Sequence, residues 1–184
     1  TAQIRSLTRD QIVALNTTQI GQLTTAQIAS FTSDQLSALE TADLAKLGTD
    51  QIKALTSAQL PGLTTDQMVA LSSTQLAALT SVQIPKLSVD QIASIESRDI
   101  SGLTTGQIAA LTTDQIQKLT TDQIASITTD QVVGITTAQI RALTTDQIVA
   151  ITTAQVGKLS TTQISYLTST QVGALETADL AKFS

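Results

Sequence analysis

The chain has 184 residues, 41% of them hydrophobic, 14% charged and 2% aromatic, with ten Lys and Arg against fifteen Asp and Glu. That apolar content suits a folded core and exceeds what a disordered chain carries, while the scarcity of aromatics makes the core a thin one of Ile, Leu, Val and Ala, better fitted to a slender rod than to a globule. Cys and His are absent, which removes disulfides, thiol nucleophiles, imidazole bases and the zinc or iron sites built on those ligands, and a net charge of −5 speaks against binding to nucleic acid or to an anionic membrane surface.

From Thr1 the sequence reads in octads, labelled here a to h, and the frame never slips through 23 copies. No cleavable leader precedes the first copy, so the expectation is a continuous array over 1–184 cut from a longer one. Position c is Gln in 20 of the 23 copies and Asp in the other three, namely Asp43, Asp99 and Asp179. Positions d and g are always apolar. Thr and Ser dominate h and a, whereas e and f vary widely. No apolar run approaches the roughly 20 residues of a membrane span, so insertion into a bilayer is not expected.

Along the chain, the first coupled departure is Glu40 at h followed by Asp43 at c, and it returns as Glu96 with Asp99 and as Glu176 with Asp179. Glu stands at h only in those copies, and the stretch 38–46 recurs residue for residue as 174–182. The pairs read as an alternative capping arrangement, with both acids on the positive end of a short helix. The other use of paired carboxylates with carbonyls nearby is a calcium site at Glu40, Asp43, Glu96, Asp99, Glu176 and Asp179.

Pro61 and Pro85 both stand at e, where a continuing helix would need an N–H, and six of the eight glycines fall at e or f. Helices are therefore expected to last about one turn. The copy 111–119 shows how each one begins: Thr112 is an N-cap, Gln115 completes a capping box, and Leu111 with Ile116 form a hydrophobic staple. Charge follows the same polarity. All fifteen acids fall at h, b or c, and eight of the ten bases at e or f, as the dipole of a short helix favours. A single long helix fails, because an eight-residue repeat would rotate its apolar stripe by about 80° per copy.

The predicted fold is an all-α tight solenoid of one-turn capped helices, 23 octapeptide repeats with two octads per coil and d and g turned inward. Three octads per coil and a β-solenoid are the alternatives. At helix-packing distance the expected rod is very roughly 100 Å long. The motif Leu-Thr-Thr-Asp-Gln-Ile-x-x-Leu at 111–119, repeated at 143–151 with Ile151 closing, resembles octapeptide tracts of very large bacterial surface or secreted proteins, among them adhesion, heme-utilisation and calcium-binding-like giants. The resemblance implies an extracellular or cell-surface setting.

Composition and repetition together point to a non-catalytic spacer, stalk or filament-forming segment without a cofactor, partnered by neighbouring domains or by end-to-end self-association. The alternative is a repeat-surface module that binds protein, glycan or ice, the last through rows of Thr hydroxyls at h and a.

Overall fold

The computed structural model describes residues 2–183. Among them, 21 α-helices of four to six residues and two 3₁₀ helices succeed one another, one per octad, and there is no strand. The fold is an all-α repeat solenoid, and the β-solenoid alternative is not formed. Two compact units, Thr1–Ile95 and Glu96–Ser184, make up the chain. The same local rules operate in each.

The octad around 112–119 shows why the chain coils in this way. Thr112 is extended (φ −69°, ψ 163°), Thr113–Lys118 is helical, and Leu119 is extended again (φ −57°, ψ 137°). The Ile116 N–H donates to the Thr112 carbonyl at 3.0 Å, and the Leu119 N–H donates to the Ile116 carbonyl at 3.3 Å. One α-turn is thus made and tightened by a 3₁₀-type closure, after which g and h run extended. The helix ends there because the h hydroxyl is committed to capping the next helix, which requires an extended backbone at h. Where Pro occupies e, the α-turn contracts to the 3₁₀ helices Leu60–Gly62 and Ile84–Lys86, since the ring removes one intrahelical donor.

Positions d and g face inward as expected, save that Val172 and Leu180, both at d, are 39% and 40% exposed. Ile12, Ile20, Leu36, Leu44, Ile52, Leu60, Ile108, Ile116 and Ile140, all at d, are completely buried, and most g residues are nearly so. Each fully buried Leu or Ile contributes about 1.5–3 kcal/mol relative to an exposed one.

The expected coil of two octads is corrected by the packing. Helix Arg9–Val13 lies against Ser33–Ala38, Thr17–Gly21 against Thr41–Leu44, and Thr145–Ala150 against Ser169–Ala174, each pair three octads apart. Side-chain hydrogen bonds reach the fourth octad, as from Gln67 to Leu36 and Leu39. A coil therefore takes between three and four octads, and each joint turns the chain by between a quarter and a third of a circle. Two octads per coil would require a full reversal at every joint. No described residue has a positive φ, and two extended residues in sequence bend the chain without reversing it.

Successive coils approach closely where Gly62 and Gly134, both at f, meet a residue at a from three octads earlier. A Cβ on Gly62 would lie 2.6 Å from the Ser33 carbonyl oxygen, and one on Gly134 would lie 2.8 Å from that of Thr105. These are contacts with backbone, which cannot rotate away. Gly173, inside helix Ser169–Ala174, has nothing within 4 Å of such a Cβ. Gly134→Ala is expected to destabilise the fold by about 1–3 kcal/mol through overpacking, whereas Gly173→Ala stabilises it by about 0.5–1 kcal/mol through helix propensity. Thermal unfolding of the two variants should move the midpoint in opposite directions.

Candidate functional site

The groups that recur in every coil are the c glutamine and the h hydroxyl, so the chemistry of the site is the chemistry of these repeated side chains. The capping box forms as the sequence predicts. The Thr112 N–H donates to Gln115 Oε1 at 2.8 Å, and the Gln115 N–H donates to Thr112 Oγ1 at 3.1 Å. Asn16 and Ser88 serve at h in the same way. Gly48 supplies only its N–H, which donates to Gln51 Oε1 at 2.7 Å.

The other half of the amide does something that the local motif does not require. Gln147 Nε2 donates to the Ile116 carbonyl at 2.8 Å and to the Leu119 carbonyl at 2.7 Å, the d and g residues of the fourth octad back. Gln67 repeats the pattern with Leu36 at 2.9 Å and Leu39 at 2.8 Å, and Gln163 with Val132 at 3.0 Å and Ile135 at 2.7 Å. Each glutamine thus joins the start of one helix to the end of another. From Gln35 onward these side chains are nearly all buried, whereas Gln11 and Gln19, which have no fourth octad behind them, are exposed. The sequence did carry a signal for this clamp. A capping box accepts Glu as readily as Gln, yet no copy has Glu at c, and only the amide supplies a donor.

The hydroxyls are largely engaged as well. Those at h accept from the c backbone, and some at a bridge coils: Ser33 Oγ donates to the Ala58 carbonyl at 2.7 Å and Thr105 Oγ1 to the Asp130 carbonyl at 3.4 Å. A hollow lined by Ala2, Arg5, Ala26, Ala29 and Ser30 contains no carboxylate.

The structure places the three acidic copies as follows. Glu40, Glu96 and Glu176 occupy the N-cap position of helices Thr41–Leu44, Ser97–Ile100 and Thr177–Leu180, but none makes a side-chain capping hydrogen bond. The expected acidic cap is therefore not formed as a hydrogen bond, because the Glu side chain is too long to fold back on the first turn as Ser, Thr or Asn does. Asp43 and Asp179 are buried, at 3% and 4% exposure. Asp179 Oδ1 has no hydrogen-bond partner among the described residues. Burial, reinforced by the nearby Glu40 charge, raises the Asp43 carboxyl above the ordinary aspartate value. In the remaining copy Arg98 forms an ion pair with Glu96, and its Nε lies 3.6 Å from Asp99 Oδ2. No group of three or more His, Cys, Asp or Glu side chains converges among the described residues.

Gln147→Glu keeps the capping acceptor but sets a carboxylate against two carbonyl oxygens, and is expected to cost about 2–4 kcal/mol. Gln11→Glu, at an exposed amide, should leave stability within about 0.5 kcal/mol of the parent; urea unfolding of the two variants measures the contrast. For Asp43 the folded state holds the proton more tightly than the unfolded state. Its stabilising contribution is therefore complete below the unfolded pKa and is lost as pH rises through the raised folded value. In chelator-treated protein, the advantage of Asp43→Gln over the parent should grow as pH rises from about 4 to 7, which paired thermal melts across that range would record.

No curated protein matches the chain. The ALTTAQ repeat matches residues 1–25, 36–73, 92–129, 124–161 and 150–177. The matched segments cover most of the octads, including many that carry the glutamine clamp and two of the three acidic pairs in full, and the chain belongs to the ALTTAQ repeat family.

Proposed function

We propose that the chain is a non-catalytic structural segment, an extracellular spacer or stalk of a bacterial surface protein. One observation carries this reading. The side chains that repeat are engaged by the fold, the glutamine amide by its own helix and by an earlier coil and the exposed h hydroxyl by the helix it caps, while exposed e and f vary from copy to copy. A module that reads a ligand through its repeats would keep uniform side chains free for that ligand. Here the repeated side chains at c and h hold the backbone, as in a protein whose task is to maintain a fold over a chosen number of units. The likeness of its octads to tracts of large surface proteins supports the setting. No helix among the described residues is long and apolar enough to cross a membrane.

A second reading is assembly of copies end to end, because the clamp that joins coils within the chain, as from Gln147 to Ile116 and Leu119, would join coils of two copies by the same bonds.

Sedimentation velocity over a hundred-fold concentration range separates the two. A single species of constant size supports the spacer, and a size that grows with concentration supports end-to-end assembly. Surface labelling of intact bacteria with an antibody to the octads tests the setting; reactivity seen only after lysis would overturn it.

A further inference from the structure

In all three acidic octads the coil clamp has lost its amide donor, and in two of them no ion pair with the acids is found among the described residues. Register fixes what the side chain at c faces, because each glutamine whose hydrogen bonds bracket the acidic positions addresses the residues 31 and 28 before it. Gln35 addresses Ile4 and Leu7, Gln51 addresses Ile20 and Leu23, and Gln171 addresses Ile140 and Leu143. By the same spacing Asp43 faces the carbonyls of Ile12 and Leu15, and Asp179 those of Ile148 and Ile151. The carbonyls of Leu15 and Ile151 accept no hydrogen bond among the described residues. A carboxylate directed at two carbonyl oxygens is repulsive, and a buried one is costly unless a positive charge compensates it.

Three further observations agree. Asp179 Oδ1 is buried without a partner. Every acid at c is Asp and none is Glu, so the carboxylate stops one methylene short of where the glutamine nitrogen would lie and leaves space between itself and the carbonyls. The third pair holds a cation of its own: Arg98 stands at b, with its guanidinium on Glu96 and close to Asp99, whereas the corresponding residues in the other two octads are Ala42 and Ala178.

We propose that the Glu40/Asp43 and Glu176/Asp179 octads each bind one calcium ion, held by the two carboxylates and by the pair of main-chain carbonyls four octads earlier. The ion takes the place of the glutamine NH₂, which lies 2.8 Å from both carbonyl oxygens in Gln171. Calcium–oxygen distances of about 2.3–2.6 Å are reached from there by small shifts, and calcium accepts an irregular set of oxygens completed by water, whereas magnesium demands a near-ideal octahedron. The ion clamps one coil to another where the amide does so elsewhere.

Calorimetric titration of calcium into the chelator-treated full chain tests this, alongside a variant carrying Glu40→Thr, Asp43→Gln, Glu176→Thr and Asp179→Gln. That variant restores the common octad and therefore folds at least as well as the parent. The parent should bind two ions with dissociation constants on the order of 10⁻⁴–10⁻³ M, the range of extracellular modules with few charged ligands, with magnesium at least ten-fold weaker; the variant should bind none. Three outcomes would overturn the proposal. These are absence of saturable binding up to about 10 mM, an order above that range, equal binding by the variant, or a stoichiometry of three, which would mean that Arg98 does not fill the third pair. Carbon-13 NMR of the aspartate carboxyls in metal-free protein supplies a fourth: protonated Asp43 and Asp179 at neutral pH would show that a proton replaces the missing donor.

Discussion

The architecture depends on one side chain making two kinds of bond at once. A glutamine at the third residue of a helix accepts from the N-cap backbone, fixing where that helix starts, and donates to the carbonyls that end another helix four octads earlier. Short helices leave unusual numbers of backbone groups unpaired, because four N–H groups at one end and four carbonyls at the other lack intrahelical partners whatever the helix length. A chain made wholly of single turns would bury many such groups without compensation. The glutamine and the h hydroxyl supply the missing partners at the start of the turn, and the amide nitrogen of a later octad supplies them at its end. Isolated turns of four to six residues are unstable in water, and here they persist because most are bonded at both ends and bury their d residue.

Coil geometry follows from the same clamp. Helices pack against those three octads away, while amides reach the fourth, so each octad rests on two of its predecessors. Energetically, the apolar contribution from d and g is non-directional and would tolerate some sliding between coils. The paired carbonyls do not, since moving by one residue separates every amide from its acceptors. Packing drives the collapse and the glutamines select the register. The acidic octads are instructive in this light, because they keep an apolar d residue, with Leu44 and Ile100 fully buried, and alter the polar groups at h and c.

What the sequence made legible was whatever acts within a few residues. Capping boxes such as Thr112 with Gln115, the single turn, the inward d and g positions and the softening of the turn at Pro61 and Pro85 all depend on neighbours in the chain, and all are found where the repeat implies them. The coil size was misjudged because it rests on bonds spanning 28 and 31 residues, and a perfect period of eight gives the same pattern for any number of octads per coil. The acidic pairs lie where the repeat implies, with Glu at the N-cap and Asp in the first turn of each helix. What one dimension did not carry is the burial of Asp43 and Asp179 and the absence of a side-chain capping bond from Glu, since both depend on packing between coils and on side-chain reach.

Because all but three octads offer the same amide donor and every octad the same pair of acceptors, the clamp sets no privileged length. If recombination between misaligned copies of the gene removes one octad, each later glutamine finds an equivalent pair of carbonyls one copy earlier, and neither a donor nor an acceptor is stranded inside the array. The identical stretches 38–46 and 174–182 have the form that such copying leaves behind. A change of length in steps of eight codons therefore leaves the clamp intact, and the copies that break the equivalence are those with Asp at c, namely Asp43, Asp99 and Asp179.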